Sequence, residues 1–400
     1  MWEQIRSNQI RSIILVAAMG GLLLLIGYFL GIYFFDSAIG GLAIALIVWA
    51  VMSLVAFFQG DSILLALSRA RKISRDDHPR LYNVVEEMKI ASGLERMPDI
   101  YIIDDPALNA FATGRDPNKA AVAITSGLLQ KLNRDELQGV IAHEIAHVKN
   151  RDVFLMAITA VLLGTIVILA WYVSRFMFYG RMGSRRSSSS GGQGQAIILI
   201  VAIVLMILAP IIGYLIYFAI SRKREYLADA SSALYTRYPE GLASALEKLA
   251  ASTSQLKSAN QATAPMYIIN PFRKRGRAAS DLTSTHPPIS ERIRILRAMA
   301  GASFADYDQA YQQAHKGAAG VIPASAIAVT GAFGLRAIEP EAPLKERANK
   351  VERTRETQDL MWRLSNYKTI NCDCGTRLKT PPNFKESKVR CPHCGKINLV

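Results

Sequence analysis

Cysteine is scarce in this chain, with four residues in 400, all within residues 372–394. An extracellular disulfide scaffold would spread its cysteines differently, so that class of protein is not favoured. The four form two close pairs: Cys372 and Cys374, then Cys391 and Cys394. This grouping indicates a metal site in a reducing compartment.

Acidic residues are also few, because 32 Asp and Glu face 47 Lys and Arg, a formal net charge of +15. Many of the basic residues lie beside long apolar blocks, where cytoplasmic membrane flanks carry them. Nucleic-acid binding is the alternative and is less favoured. The apolar blocks themselves contain almost no ionisable residues, which argues against a transporter.

Half of the residues are hydrophobic, and they concentrate in blocks long enough to cross a bilayer, which takes about 20 residues. The four predicted spans are residues 13–35, 38–58, 153–172 and 196–220. The first block has no convincing cleavage site and exceeds the length of a signal sequence, so we expect it to be retained. The first two blocks are so close that they predict a hairpin.

Basic residues before the first block, after the second and after the fourth fall on one side of a four-span protein, which should be the cytoplasm. The loop between the third and fourth blocks disagrees, since it carries Arg175, Arg181, Arg185 and Arg186. Whether these two blocks span fully therefore stays open.

Residues 143–147 read His-Glu-Ile-Ala-His within a stretch of good helix formers. Positions four apart share a helix face, so His143 and His147 can bind one zinc ion with Glu144 beside them. Glu144 would then take a proton from a zinc-bound water and pass it to the leaving amine. The alternative is a polar helix face without metal.

A catalytic zinc site needs a third protein ligand. Glu225 is the candidate, and Asp229, one helical turn later, can orient a ligand histidine. Taken alone, both would be surface acids. However, Glu225 follows the fourth apolar block and the histidine motif precedes the third, so a membrane hairpin would return both to the same side.

The motifs HEIAH, REYLAD, NAFATG and STHPPISERI together resemble the HtpX-type branch of the M48 metallopeptidases. The resemblance covers about residues 1–315. It implies a predominantly α membrane protein with four transmembrane helices and a gluzincin α+β catalytic domain with a small edge sheet. It also implies a cytosol-facing zinc site and a role in membrane protein quality control and stress response.

Further site residues follow from the same resemblance. Asn109, Ala110, Phe111 and Ala112 would lie on the edge strand that pairs with an extended substrate. His286 would face the cleft and donate a hydrogen bond to the oxyanion, and Arg292 is a weaker candidate for that role. The alternatives are a turn residue at Asn109 and a capping or core histidine at His286.

The four cysteines of the tail resemble a zinc ribbon, in which four thiolates close a structural site. The first pair has the spacing CxC, where CxxC is usual, and His393 could replace one cysteine as a ligand. The alternative to a metal site is a redox-active tail. The partner of this ribbon is unknown. The predicted domains are 1–60, a transmembrane hairpin; 61–315, the peptidase domain, interrupted at about 153–220; 316–345, a flexible linker; 346–367, a charged and solvated helix; and 368–400, the ribbon.

The sequence thus predicts a zinc endopeptidase of the bacterial inner membrane, with the bilayer around it and misfolded membrane proteins as substrates. A prenyl-protein protease is a related possibility, but we would expect more spans. The alternative of another class is a non-proteolytic membrane scaffold that acts through the ribbon. Glu144 argues against it, because a structural zinc site needs no base.

Overall fold

A computed structural model describes residues 2–157, 175, 204, 222–257, 264–271, 286–317, 319–329, 331, 334–336, 343–384 and 386–399. The helices are α1 Trp2–Phe35, α2 Ala38–Leu67, α3 Pro79–Ser92, α4 Ser126–Lys131, α5 Arg134–Lys149, α6 152–157, α7 222–236, α8 Pro239–Ala251, α9 Ile289–Arg297, α10 Phe304–Ala314, α11 Ala324–Val329 and α12 Pro343–Leu364. The strands are β1 Arg71–Ile73, β2 Asp99–Ile103, β3 Ala110–Thr113, β4 Ala121–Thr125, β5 Lys368–Asn371, β6 Arg377–Thr380, β7 Lys388–Arg390 and β8 Ile397–Leu399.

The first two helices form the predicted hairpin, and both are long and apolar enough to cross a membrane. The chain reverses at Asp36, whose φ is +49°, and the Ser37 side chain accepts a hydrogen bond from the Gly40 amide at the start of α2. The predicted third and fourth spans lie, apart from 153–157, almost wholly outside the described residues. Two apolar helices are therefore established, and the four-span count stays a prediction.

Residues 71–125 form a four-stranded sheet in the order β1-β2-β4-β3. Strands β2 and β4 are parallel and the other pairs are antiparallel. This order places β3, which carries the NAFATG motif, at one edge of the sheet. Strand β4 runs directly into α4.

Helix α5 lies in the centre of the core, and nearly its whole length is buried. It begins with a capping box in which Asn133 and Glu136 satisfy each other's backbone amides, which fixes the helix start. Below the sheet, Leu64 and Leu65 from the end of α2 join a second apolar cluster with Ile103 and Phe111. The α1–α2 hairpin is therefore packed directly against the domain that contains the sheet.

The segment predicted as a flexible linker, 316–345, contains folded structure. Helix α11 lies within it, and Ile322 and Ala326 are buried in the main core. The Asp308 carboxylate accepts hydrogen bonds from the amides of Val321 and Ile322. The small residues that suggested a linker instead allow close packing.

Helix α12 was expected to be solvated, and one of its faces is not. Thr357 and Leu360 are fully buried where α12 packs against α4. Beyond it, the tail consists of two antiparallel hairpins, β5–β6 and β7–β8. Asp359 of α12 forms ion pairs with Arg377 and Lys379 of β6 at 2.7 Å each. The tail is thus attached through α12 to the domain that contains the four-stranded sheet.

Candidate metal centre

Helices α5 and α7 bring three metal-ligating side chains together in the core. The Nε2 atoms of His143 and His147 lie 3.2 Å apart. The carboxylate oxygens of Glu225 lie 3.5 Å from the first Nε2 and 3.4 Å from the second. All three side chains are buried, and their ligand atoms form one cluster.

This cluster fits a zinc ion. Atoms on a tetrahedron about 2.0–2.1 Å from zinc are roughly 3.3 Å apart, which matches the distances between the three side chains. Both Nδ1 atoms are hydrogen-bonded to carboxylates, which places a proton on each Nδ1 and leaves Nε2 of each ring as the atom that would bind a metal. One oxygen of Glu225 is buried without a hydrogen bond from the described residues. A cation between these groups would satisfy all of them.

The carboxylate of Asp229 lies 3.0 Å from Nδ1 of His143. It is itself held by Arg292, whose Nε and Nη2 donate to its two oxygens at 2.8 and 2.7 Å. Arg292 is fully buried, and its Nη1 donates to the Ile268 carbonyl. Its Nη1 also lies 3.4 Å from the Glu225 carboxylate. The donors of Arg292 are thus engaged with two carboxylates and the backbone, which favours a positioning role over direct contact with an oxyanion.

Asp152 is a member of the site that the sequence reasoning missed. Its Oδ2 lies 3.0 Å from Nδ1 of His147, and its side chain is buried. Asp152 follows α5 by three residues, and the chain turns back at Arg151, whose φ is +59°. Helical spacing carries no signal for this contact, because the helix has ended before Asp152.

Glu144 lies next to the ligands and is 1% exposed. Burial raises the pKa of this carboxyl, while His143, His147 and a backbone hydrogen bond with Ala112 act to lower it. The net shift of its pKa is upward. A buried carboxylate with a raised pKa is suited to take and return a proton.

Two histidines next to Glu225 have pKa values that are shifted in opposite directions. Burial opposes the charge on His147, but hydrogen bonds with Asp152 and Glu225 outweigh it and raise its pKa to about 10. Burial lowers the pKa of His286 to about 4, in spite of Glu225 nearby. The Nε2 atom of His286 lies 3.8 Å from Glu225, so a neutral imidazole lines the centre.

The edge strand β3 is partly covered by another segment of the chain. The Asn109 amide donates to the Ile269 carbonyl at 3.0 Å, and the Ile268 amide donates to the Ala110 carbonyl at 3.0 Å. Phe111 packs edge-to-face on Tyr267. Because backbone groups alternate along an antiparallel strand, Ala112 faces the same edge as Ala110.

The four cysteines of the tail lie together, as the sequence predicts. Two sulfur–sulfur distances are 3.5 Å, between Cys372 and Cys394, and 3.7 Å, between Cys374 and Cys391. Four sulfurs about 2.3 Å from zinc are roughly 3.8 Å apart, so this cluster also fits a metal ion. A hydrogen bond with Thr376 lowers the pKa of Cys374 to about 5. A backbone hydrogen bond with Lys396 acts to lower the pKa of Cys394, but hydrogen bonds with the neighbouring thiols outweigh it and the pKa is raised, so the thiolate is favoured at Cys374.

Comparisons with known proteins find relatives of this chain by sequence. The family model described as Peptidase family M48 matches residues 75–300. A protein named Protease HtpX homolog from Dictyoglomus turgidum is 47% identical over 298 residues, which cover 74% of this chain and 94% of the relative. Its namesake from Streptococcus uberis is 41% identical over 299 residues, 75% of this chain and all of the relative. Among solved structures, Ste24p of S. mikatae aligns with a TM-score of 0.41 and 23% identity, over 74% of this chain and 67% of that one.

Proposed function

Since this chain belongs to peptidase family M48, as a metallopeptidase of the HtpX type, we propose that it cleaves misfolded or damaged membrane proteins at the cytoplasmic face of a bacterial inner membrane. The observation that carries the proposal is the position of Glu144, buried beside the zinc-ligand cluster and below the edge strand β3. The membrane hairpin packs against the same sheet through Leu64 and Leu65. The cleft therefore lies within reach of polypeptide that emerges from the bilayer.

Each side chain of the centre has one task in this proposal. His143, His147 and Glu225 hold zinc, which when bound acts as a Lewis acid towards water and the scissile carbonyl. Glu144 accepts the proton of the attacking water and delivers it to the nitrogen of the leaving amine. The neutral imidazole of His286 donates a hydrogen bond to the oxyanion of the tetrahedral intermediate.

Substrate binding is proposed to add an extended segment to β3, which recognises backbone and tolerates many sequences. Asn109 and Ala110 already pair with the 268–269 segment, so the new hydrogen bonds would start at Ala112. That position also contacts Glu144 through its backbone. The scissile bond would thus be brought beside the base.

The multi-pass topology and the orientation of the protein in the membrane are proposed from the distribution of basic residues. Arg69, Arg71 and Lys72 follow α2 directly, and such residues mark the cytoplasmic end of a span. The catalytic domain begins at the same point. It would therefore face the cytoplasm, where reduced cysteines can hold a second zinc ion.

Proteolysis by the detergent-purified full chain tests the proposal, with an unfolded protein as substrate and zinc present. Glu144→Gln should abolish cleavage and retain zinc, whereas the exposed Glu95→Gln should cleave as the wild type does. A membrane-anchored version of the substrate, compared in proteoliposomes, should be cut faster than its soluble form. Equal zinc content with no cleavage by the wild type would reject the peptidase proposal.

The complete cysteine cluster in the tail supports a second candidate, a scaffold that acts through its ribbon. Cys391→Ser combined with Cys394→Ser should remove one zinc ion and leave cleavage of the unfolded protein intact. If the cellular function were lost with the cysteines and kept with Glu144→Gln, the scaffold would be the better description.

A further inference from the structure

Each ligand histidine is held from behind by its own carboxylate. Asp229 contacts Nδ1 of His143, and Asp152 contacts Nδ1 of His147, both at 3.0 Å. Asp152 and Asp229 are both fully buried. A carboxylate in this position fixes the proton on Nδ1, so that the lone pair on Nε2 points at the metal.

The two carboxylates are anchored in different ways. Asp229 belongs to α7 and is fixed by Arg292. Asp152 is the first residue of α6, which follows the turn at Arg151 and leads into the third apolar block.

Helix α6 rests on the end of the membrane helix α2. Phe154 meets Phe57 edge-to-face, with ring centroids 5.7 Å apart. Met156 and Ala157 are buried in the same cluster as Leu64 and Leu65. The position of Asp152, and through it the orientation of His147, therefore depends on packing between α6 and the membrane hairpin.

We propose that Asp152 is a positioning residue that couples zinc retention at His147 to the seating of α6 on α2. Its Oδ2 contacts Nδ1 of His147, on the opposite side of the ring from the Nε2 that faces the other ligands, so it acts on the metal through the ligand. This inference rests on the zinc site of the proposed function. It adds a fourth carboxylate to the centre, next to Glu144, Glu225 and Asp229.

The test is the rate of zinc loss from the purified full chain to an excess of chelator. Cys391→Ser and Cys394→Ser are present in every sample, so that only the histidine site is followed. Asp152→Asn should lose zinc faster, with an affinity about 10–100-fold weaker, and Asp152→Glu should recover part of the loss. Asp36→Asn, an exposed turn residue, serves as the matched control.

Thermal unfolding of the metal-free proteins separates positioning from folding. Asp152→Asn should unfold close to the control temperature and still lose zinc faster. Phe154→Ala, which loosens α6 on α2 without touching the site, should shift zinc loss in the same direction. Unchanged zinc loss in Asp152→Asn would overturn the inference, whereas failure of the control protein to bind zinc at all would overturn the proposed function instead.

Discussion

Arg292 donates two parallel hydrogen bonds to Asp229, 2.8 and 2.7 Å long, and both side chains are fully buried. The two residues lie 63 positions apart in the chain. The pair joins α9 to α7 directly behind the ligand His143. The HPPISER segment thereby supports the metal ligands as well as lining the centre through His286.

Removing the guanidinium of Arg292 should lower the stability of the folded protein. Arg292→Met leaves the Asp229 carboxylate buried without its main partner, and breaking a buried pair typically costs about 3–5 kcal/mol. We expect a lower unfolding temperature, weaker zinc binding and little cleavage. Arg294→Met, on the exposed side of the same helix, should change none of these by much. A stable, zinc-replete Arg292→Met would contradict the positioning role.

The Asn109 side chain holds the 268–269 segment against β3, and this structural role can be tested. Asn109→Ala removes both hydrogen bonds that its side chain makes with Ile269 and leaves a buried carbonyl unsatisfied, at a cost of about 1–3 kcal/mol. Thermal unfolding of the metal-loaded protein should therefore shift to lower temperature. If stability is unchanged and only KM rises, substrate binding is the dominant role of this side chain.

The buried side chain of His78 should make the folded protein less stable in mild acid. Burial is the main cause that lowers its pKa from 6.5 to about 4. Between pH 6.5 and pH 4, His78 is therefore protonated in the unfolded chain and neutral in the folded chain. The free energy of unfolding is therefore unaffected by His78 above pH 6.5. It falls as the pH drops towards 4, by at most roughly 3 kcal/mol.

His78→Asn should flatten this dependence. Asn can still accept the hydrogen bond from the Leu81 amide that His78 Nδ1 accepts at the start of α3. Unfolding temperatures measured in detergent at pH 7.5 and pH 5 should therefore differ less in the variant than in the wild type. The same difference in both proteins would show that His78 is not the group responsible.

The membrane hairpin depends on a close approach of its two helices. A side chain on Gly41 would clash with the Gly27 carbonyl and the backbone of Gly31, so Gly41→Leu should separate α1 from α2 and lower the yield of folded protein from detergent. Gly21→Leu is the control, since nothing lies near a Cβ at that position. Size-exclusion profiles that match for both variants would rule out this packing requirement.

The sequence by itself determined what depends on local periodicity. Residues four apart on one helix share a face, so His143 and His147 were bound to point the same way. Two runs of about 20 apolar residues were bound to give two long apolar helices. The paired cysteines likewise identified one candidate metal site, because each pair lies within a single hairpin.

Only the tertiary structure decided which distant groups meet. Asp152 reaches His147 through a left-handed residue after the helix has ended, Arg292 reaches Asp229 from another helix, and residues 268–269 cover part of β3. The Ala-rich stretch around α11 is packed because Ile322 and Ala326 find a place in the core. Such contacts depend on how whole elements pack against each other, and no spacing along the chain encodes them.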